Sequence, residues 1–139
     1  MHTTRTTLEL QTQAGTDIHD LSARLSRIVA DHGVRQGWML LFVPGSTAGL
    51  TTIEFEPGAI EDLERALEIV APEGGDYAHN RRWGDGNGFS HVRAALMGPS
   101  LLIPIADGEL ATGTWQQIIL CDFDNRPRRR RVLVEILAP

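Results

Sequence analysis

His79 and His91 bracket a glycine-rich stretch, Glu73–Gly88 (EGGDYAHNRRWGDGNG), which also carries Asp76, Asp85 and Asn87. Neutral imidazoles and carboxylates are what a zinc-type ion takes as ligands, and a catalytic zinc needs three of them with one position open. Two histidines with Asp85 supply such a set by residue type, although the spacing alone matches no established metal motif. Gly45-Ser46-Thr47-Ala48-Gly49 is a second candidate. Small residues let backbone approach a ligand, and the Ser46 and Thr47 hydroxyls with nearby N–H groups can cradle an anion. It lacks the Gly-Lys-Ser/Thr ending of a P-loop and the Gly-x-Ser-x-Gly spacing of a nucleophile elbow. Thr114-Trp115-Gln116 offers a flat wall and a hydrogen-bonding amide. Arg126 and Arg128–Arg131 could meet a phosphate, though alternation along a strand would divide them between two faces. Each group also has a plainer use: hydrogen-bonded surface histidines, a tight turn, a core tryptophan, a solvated strand start.

The elements that must position these groups are legible from periodicity. Thr4–Gln13 alternates as a strand. Asp17 or Asp20 can cap a helix in which Leu21, Leu25, Ile28 and Val29 share one face, with Gly33 as its stop. Trp38–Val43 (WMLLFV) reads as a buried strand, and the latter half of the segment ending at Ile53 as another. A second helix is predicted over 59–70, with Ile60, Leu63, Leu67 and Val70 inward and Pro72 ending it. Residues 73–88 read as a loop, 90–97 as a short helix, and 101–105, 114–123 and 130–137 as strands. Strands and helices do not alternate strictly. The class is therefore α+β: one domain over 1–139, a mixed, largely antiparallel sheet covered by two main helices and a short third.

Composition narrows the function. A chain of 139 residues with 42% hydrophobic and 22% charged residues can build a core without disulfides or a structural metal. The single cysteine, Cys121, forms no intrachain disulfide and suits a reducing compartment. Neither a signal-type apolar run nor a membrane-length stretch is present, so a soluble cytoplasmic protein is expected. Net charge −5 and pI near 5.5 argue against non-specific nucleic-acid binding. All 13 basic side chains are arginine, which excludes a lysine Schiff base or lysine general base.

Read in order, the pieces resemble the YjbQ family. Ser46-Thr47-Ala48-Gly49-Leu50-Thr51 with Glu54 is similar to its His-Thr-Thr/Ser-Ala-x-Leu-Thr followed by Asn-Glu. Gly75-Asp76-Tyr77-Ala78-His79 resembles its Tyr-x-His element, and Asp85-Gly86-Asn87-Gly88-Phe89-Ser90-His91 its Asp-Gly-Asn-x-x-x-His. Gly98-x-Ser100, Pro104, Gly108 and Thr112-Gly113-Thr114-Trp115-Gln116 match the segment ending in Gly-Thr-Trp-Gln. Phe123-Asp124 and Pro127-Arg128 resemble its Asp-Gly-Pro-Arg with one extra residue. In two places the chain departs: Gly45 stands at the family's first histidine, and Ile53 at its asparagine.

The resemblance implies an α+β homotrimer with a histidine site that takes a metal or an anion. It also implies a secondary thiamine phosphate synthase activity, the coupling of hydroxymethylpyrimidine diphosphate to thiazole phosphate with release of pyrophosphate. Under it, His91 is a ligand or general acid, and Asn87 and Gln116 are orienting groups. Ser46, Thr47, Thr114, Trp115 and Arg128 bind substrate or anion. His79, His91 and Asp85 hold a divalent metal, zinc or magnesium. The partner is a phosphorylated small molecule. The rival expectations are a trimeric binding protein without turnover, which the glycine at 45 favours, and a metal-dependent hydrolase.

Overall fold

The computed structural model describes all 139 residues. Its five-stranded sheet is built around the two ends of the chain. β1 (His2–Thr12) pairs antiparallel with β8 (Arg128–Ala138) along its whole length, from His2 opposite Ala138 to Thr12 opposite Arg128. β8 also pairs with β3 (Gly37–Phe42), which pairs with β5 (Ser100–Ala106), and the short β6 (Glu109–Leu110) closes that edge. A second sheet orders β2 (Asp17–Asp20), β7 (Gln117–Asp122) and β4 (Ala48–Ile53). Every ladder is antiparallel.

The burial patterns show how the layers stack. β8 alternates: Arg130, Val132, Val134 and Ile136 are buried, while Arg129, Arg131 and Leu133 face outward. This is the period-two signature of a sheet packed on one face. β7 does not alternate, because Ile118–Asp122 are all buried. Its Ile118 and Leu120 join a core of 16 residues with Met39, Leu41, Ile103, Val132, Val134 and Ile136 between the two sheets. Its Ile119 and Cys121, with Phe123 beyond, pack against Leu67 and Ala94 of the helices α2 (Pro57–Val70) and α4 (Gly88–Met97). The second sheet thus lies between the first sheet and a helical layer. Helix α1 (Ser22–Asp31) adds Leu25 and Val29 to the inter-sheet core. Each such side chain, fully buried, contributes about 1.5–3 kcal/mol.

Several expectations change on contact with the structure. Residues 73–88 are not one loop: α3 (Ala78–Trp83) forms inside them and ends at Gly84, whose φ of 71° is the left-handed form glycine adopts freely. The helix expected at 90 starts at Gly88. Asp17–Asp20 form β2, and Asp20 Oδ1 still accepts the Ser22 N–H at 2.9 Å. The strand expected from 114 starts at Gln117. Trp38–Val43 is buried on one face only: Trp38 and Phe42 are exposed, because no layer covers the outer face of the larger sheet. Val70 is 63% exposed, and Leu67 is the only buried residue of α2. No helix is long and apolar enough to cross a membrane.

Arg93 lies on α4. It is 3% exposed. Its guanidinium donates to the Ala71 carbonyl, Thr16 Oγ1 and Glu68 Oε2 at 2.9, 3.0 and 2.7 Å and lies over the Phe89 and Phe123 rings. It ties α4 to the end of α2 and to the β1–β2 turn. Cys121 lies in the same helix-facing layer. Burial, with Glu64 adding a like charge, pushes its thiol up to about 12, which makes it inert as a nucleophile.

Helix α2 begins on Glu56, whose carboxylate accepts the Gly58 and Ala59 N–H groups at 2.8 Å. Those two backbone bonds, partly opposed by slight desolvation, hold its pKa below the usual 4.5. The folded form therefore favours ionised Glu56. Its stabilising contribution is full above the usual value and is lost as the pH falls through the lowered folded one. Glu56→Gln should melt below the wild type at pH 7, and the gap in Tm should close as the pH is lowered past that range.

Candidate functional site

The site is assembled where β7 ends and β8 begins. Asp122 and Asp124 are both fully buried there. Asp122 accepts Thr12 Oγ1 at 2.6 Å and receives Arg130 through two bonds, Nε to Oδ2 at 2.7 Å and Nη2 to Oδ1 at 3.0 Å. Asp124 accepts Arg128 Nε at 2.9 Å, Thr47 Oγ1 at 3.0 Å, the Asn125 N–H at 2.8 Å and Asn87 Nδ2 at 3.4 Å. Burial alone would raise the Asp124 pKa. The bonds from Arg128, Asn125, Thr47 and Asn87 outweigh it and hold the carboxyl below its usual value. A buried ion pair persists only when its remaining lone pairs and protons are matched in this way.

Asn87 carries this network to the histidines. It stands at the start of α4, and His91 follows one turn later. Asn80 of α3 fixes the junction by accepting the Gly88 N–H at 2.8 Å. A Cβ at Gly88 would lie 2.6 Å from Tyr77 Cβ, so only glycine lets the helices meet so closely. The meeting brings the His79 and His91 rings to 4.3 Å between centroids, tilted by 42°.

The Asn87 amide lies between two carboxylates, Asp124 and Asp85. While Nδ2 of Asn87 serves Asp124, its Oδ1 is turned on the Asp85 carboxylate; the reversed amide would instead donate to Asp85 at 3.0 and 3.2 Å and abandon Asp124. Asp85 Oδ1 also lies 3.3 Å from His79 Nδ1, and that nitrogen is buried with no hydrogen-bond partner. The contact is close enough for an ion pair but is not aligned as a hydrogen bond. No three His, Cys, Asp or Glu side chains converge in metal-binding geometry. What does crowd together is one imidazole nitrogen and one carboxylate, with His91 alongside. That donor chemistry fits a divalent cation of the zinc or magnesium type.

The other expected residues divide. Arg128 is part of the network and keeps a third of its side chain exposed. Ser46 is exposed in the turn before β4. Thr47 is 4% exposed, and its hydroxyl is committed, donating to Asp124 and accepting from Arg130. It supports the network and has no free proton for a ligand. Thr114, Trp115 and Gln116 lie at the far end of the small sheet, where Gln116 donates to Thr52 and accepts the Gly113 N–H. Six strand residues, about 20 Å, separate Gln116 from Asp122, so one chain does not bring them to the histidines. Arg130 was seen in the sequence only as part of an arginine run, and Asp122 not at all. The inward parity of Arg130 with Val132 and Val134 was the available signal.

A family model for UPF0047 proteins, YjbQ-like, matches residues 6–139. The chain belongs to this family. It is 38% identical over 130 residues to a UPF0047 protein of Archaeoglobus fulgidus, covering 94% of this chain and 98% of that one. With the UPF0047 protein YugU of Bacillus subtilis it shares 29% over 134 residues, covering 95% and 98%. Among solved structures, a YbjQ-like protein from Sulfolobus solfataricus superposes with a TM-score of 0.88 at 28% identity, covering 99% of this chain and 100% of that one. A YjbQ/UPF0047 family protein from Clostridium acetobutylicum gives 0.85 at 34%, covering 95% and 99%.

Family members thus share the frame on which the buried aspartates and arginines are mounted. In this chain the frame depends on the charge pairing of Asp122. Asp122→Ala leaves Arg130 buried without its counter-charge and should lower unfolding stability by about 3–5 kcal/mol, read as a shift of the urea midpoint.

Proposed function

We propose that the junction of α3, α4 and the β7–β8 connection binds a phosphorylated small molecule, and that its chemistry is a slow transfer of the thiamine phosphate synthase type. The observation that carries this reading is the buried, unpartnered His79 Nδ1 beside the Asp85 carboxylate and the His91 ring, with the partly exposed Arg128 in the adjoining network. A divalent cation held by His79 and Asp85, with His91 alongside, would supply charge neutralisation for a leaving diphosphate.

In the transfer, the thiazole ring nitrogen forms a bond to the exocyclic carbon of the pyrimidine as the carbon–oxygen bond to pyrophosphate breaks. The electron pair leaves with pyrophosphate. Arg128 donates to the departing phosphoryl oxygens, and the exposed Ser46 hydroxyl adds a second donor. His91, one turn beyond Asn87, is placed to deliver a proton to the leaving oxygen. Asn87 keeps its orientation through Asp124. Preorganised donors of this kind act where charge develops, which is their catalytic value.

One chain leaves Thr114, Trp115 and Gln116 distant from this junction, so their part in the site needs a neighbouring copy. The outer face of the larger sheet supports the homotrimer that the family resemblance implies. Trp38, Phe42, Leu102 and Leu133 are 49%, 41%, 58% and 40% exposed, and cross-strand pairing sets Phe42 beside Leu133 and Leu40 beside Leu102. An apolar face of this kind marks an association surface. Phe42→Asp with Leu102→Asp should convert an assembly of three chain masses into monomers by light scattering. An unchanged mass would reject this face as the interface.

A second reading has its own support. Gly45 occupies the position of a family histidine, which favours binding without turnover. Incubation of the metal-replete protein with both substrates should give thiamine phosphate, reduced at least tenfold in His91→Ala and Arg128→Gln. Metal analysis should give one ion per chain, lost in His79→Ala. Calorimetric binding without product would favour the second reading, and absence of binding to either substrate would reject both.

A further inference from the structure

Arg130 continues the inward column of Val132, Val134 and Ile136 and is 8% exposed. Its guanidinium is held by one edge only. Nε and Nη2 grip Asp122, and Nη2 also donates to Thr47. Nη1 donates to no group of the chain. The only sealed side-chain nitrogen or oxygen without a partner is His79 Nδ1, so Nη1 is within reach of solvent.

Gly45 is what leaves it open. A Cβ built at Gly45 would lie 2.9 Å from Nη1, and the residue's φ of +122° is one that side-chain-bearing residues rarely adopt. Gly45 and Ser46 are themselves exposed. Arg128, two residues away on the same face of β8, is held alike, with Nε and Nη2 on Asp124 at 2.9 and 2.7 Å. Strand residues two apart are separated by about 6.6 Å, a span that the oxygens of a phosphoryl or diphosphoryl group can bridge. Both guanidiniums are already desolvated on one edge and locked in orientation, so a ligand meeting their free edges loses little further rotamer entropy.

We propose that Arg130 is an anion-binding residue of this site: its Nη1, uncovered by Gly45, donates to an oxygen of a phosphoryl or diphosphoryl group that Arg128 also holds. The proposal rests on the reading that the junction takes a phosphorylated molecule, and it names the group that meets the phosphate. The glycine that removes a family histidine thereby exposes an arginine in its place.

The test is calorimetric titration of the folded protein with inorganic pyrophosphate. Gly45→Ala puts a methyl group over Nη1, and Arg130→Lys keeps a buried positive charge beside Asp122 while removing Nη1. Each should weaken binding roughly tenfold or more, the effect of losing a charge-assisted hydrogen bond. Arg129→Gln, on the outward face of β8, should change it less than about twofold, as expected for an exposed charge. Should either variant fail to fold by circular dichroism, arginine side-chain nitrogen NMR of the wild type gives the same answer. Pyrophosphate should shift the Arg130 Nη resonances. Wild-type binding with unaltered affinity in the variants, or no shift at Arg130, overturns this proposal and leaves the phosphate site standing. A folded wild type that binds no pyrophosphate overturns both.

Discussion

Asp122 and Asp124 lie at the end of the one strand that is covered on both sides, and the charges they bring inside are matched by Arg130 and Arg128 at the start of the next strand. The two pairs form where the chain passes from the small sheet to the large one. They bind β1 through Thr12, β4 through Thr47 and α4 through Asn87. Few other contacts in the molecule join so many elements. Burying Asp122, Asp124 and Arg130 is costly unless every charge is matched, so this corner tolerates little rearrangement. The orientation of Asn87, and with it the approach of α4 to α3, follows from that rigidity.

The histidine pair depends on the corner at one remove. His79 and His91 come from different helices, and what sets their distance is the Gly88 contact, the Asn80 bond to its N–H, and the Asn87 amide held on Asp124. A group whose neighbours are fixed before a ligand arrives can remain unsatisfied without collapsing onto another partner. The unpartnered His79 Nδ1 is such a group.

The departure at position 45 has a similar logic. In this chain the turn before β4 takes a glycine conformation and leaves its space to the guanidinium of Arg130. A histidine at that position would meet both an unfavourable φ and a tethered arginine. The change is therefore coupled to the charge network behind it and is not a simple deletion of one imidazole. Further along α4, Arg93 plays the purely structural counterpart, satisfied on all three nitrogens and sealed beneath two aromatic rings.

The local pattern of residues by itself determined the α+β class, the course of β1, β3, β5 and β8, the two long helices and the division of the arginine run between two faces. Those features follow from periods of 2 and 3.6, which are carried by neighbours in the chain. Order and spacing also carried the family likeness. Only the tertiary structure decided the rest. That α3 forms within a glycine-rich stretch depends on Asn80 and Gly88 meeting across a turn. That Trp38 and Phe42 face outward depends on which layers exist to cover a sheet. That Thr47 is committed while Arg130 keeps a free edge depends on partners 83 residues apart. That Gln116 stands far from His91 follows from the length of one strand. Propensity acts over a few residues, whereas the matching of buried charge and the placement of a side chain in a site are set by groups that meet only when the sheets close.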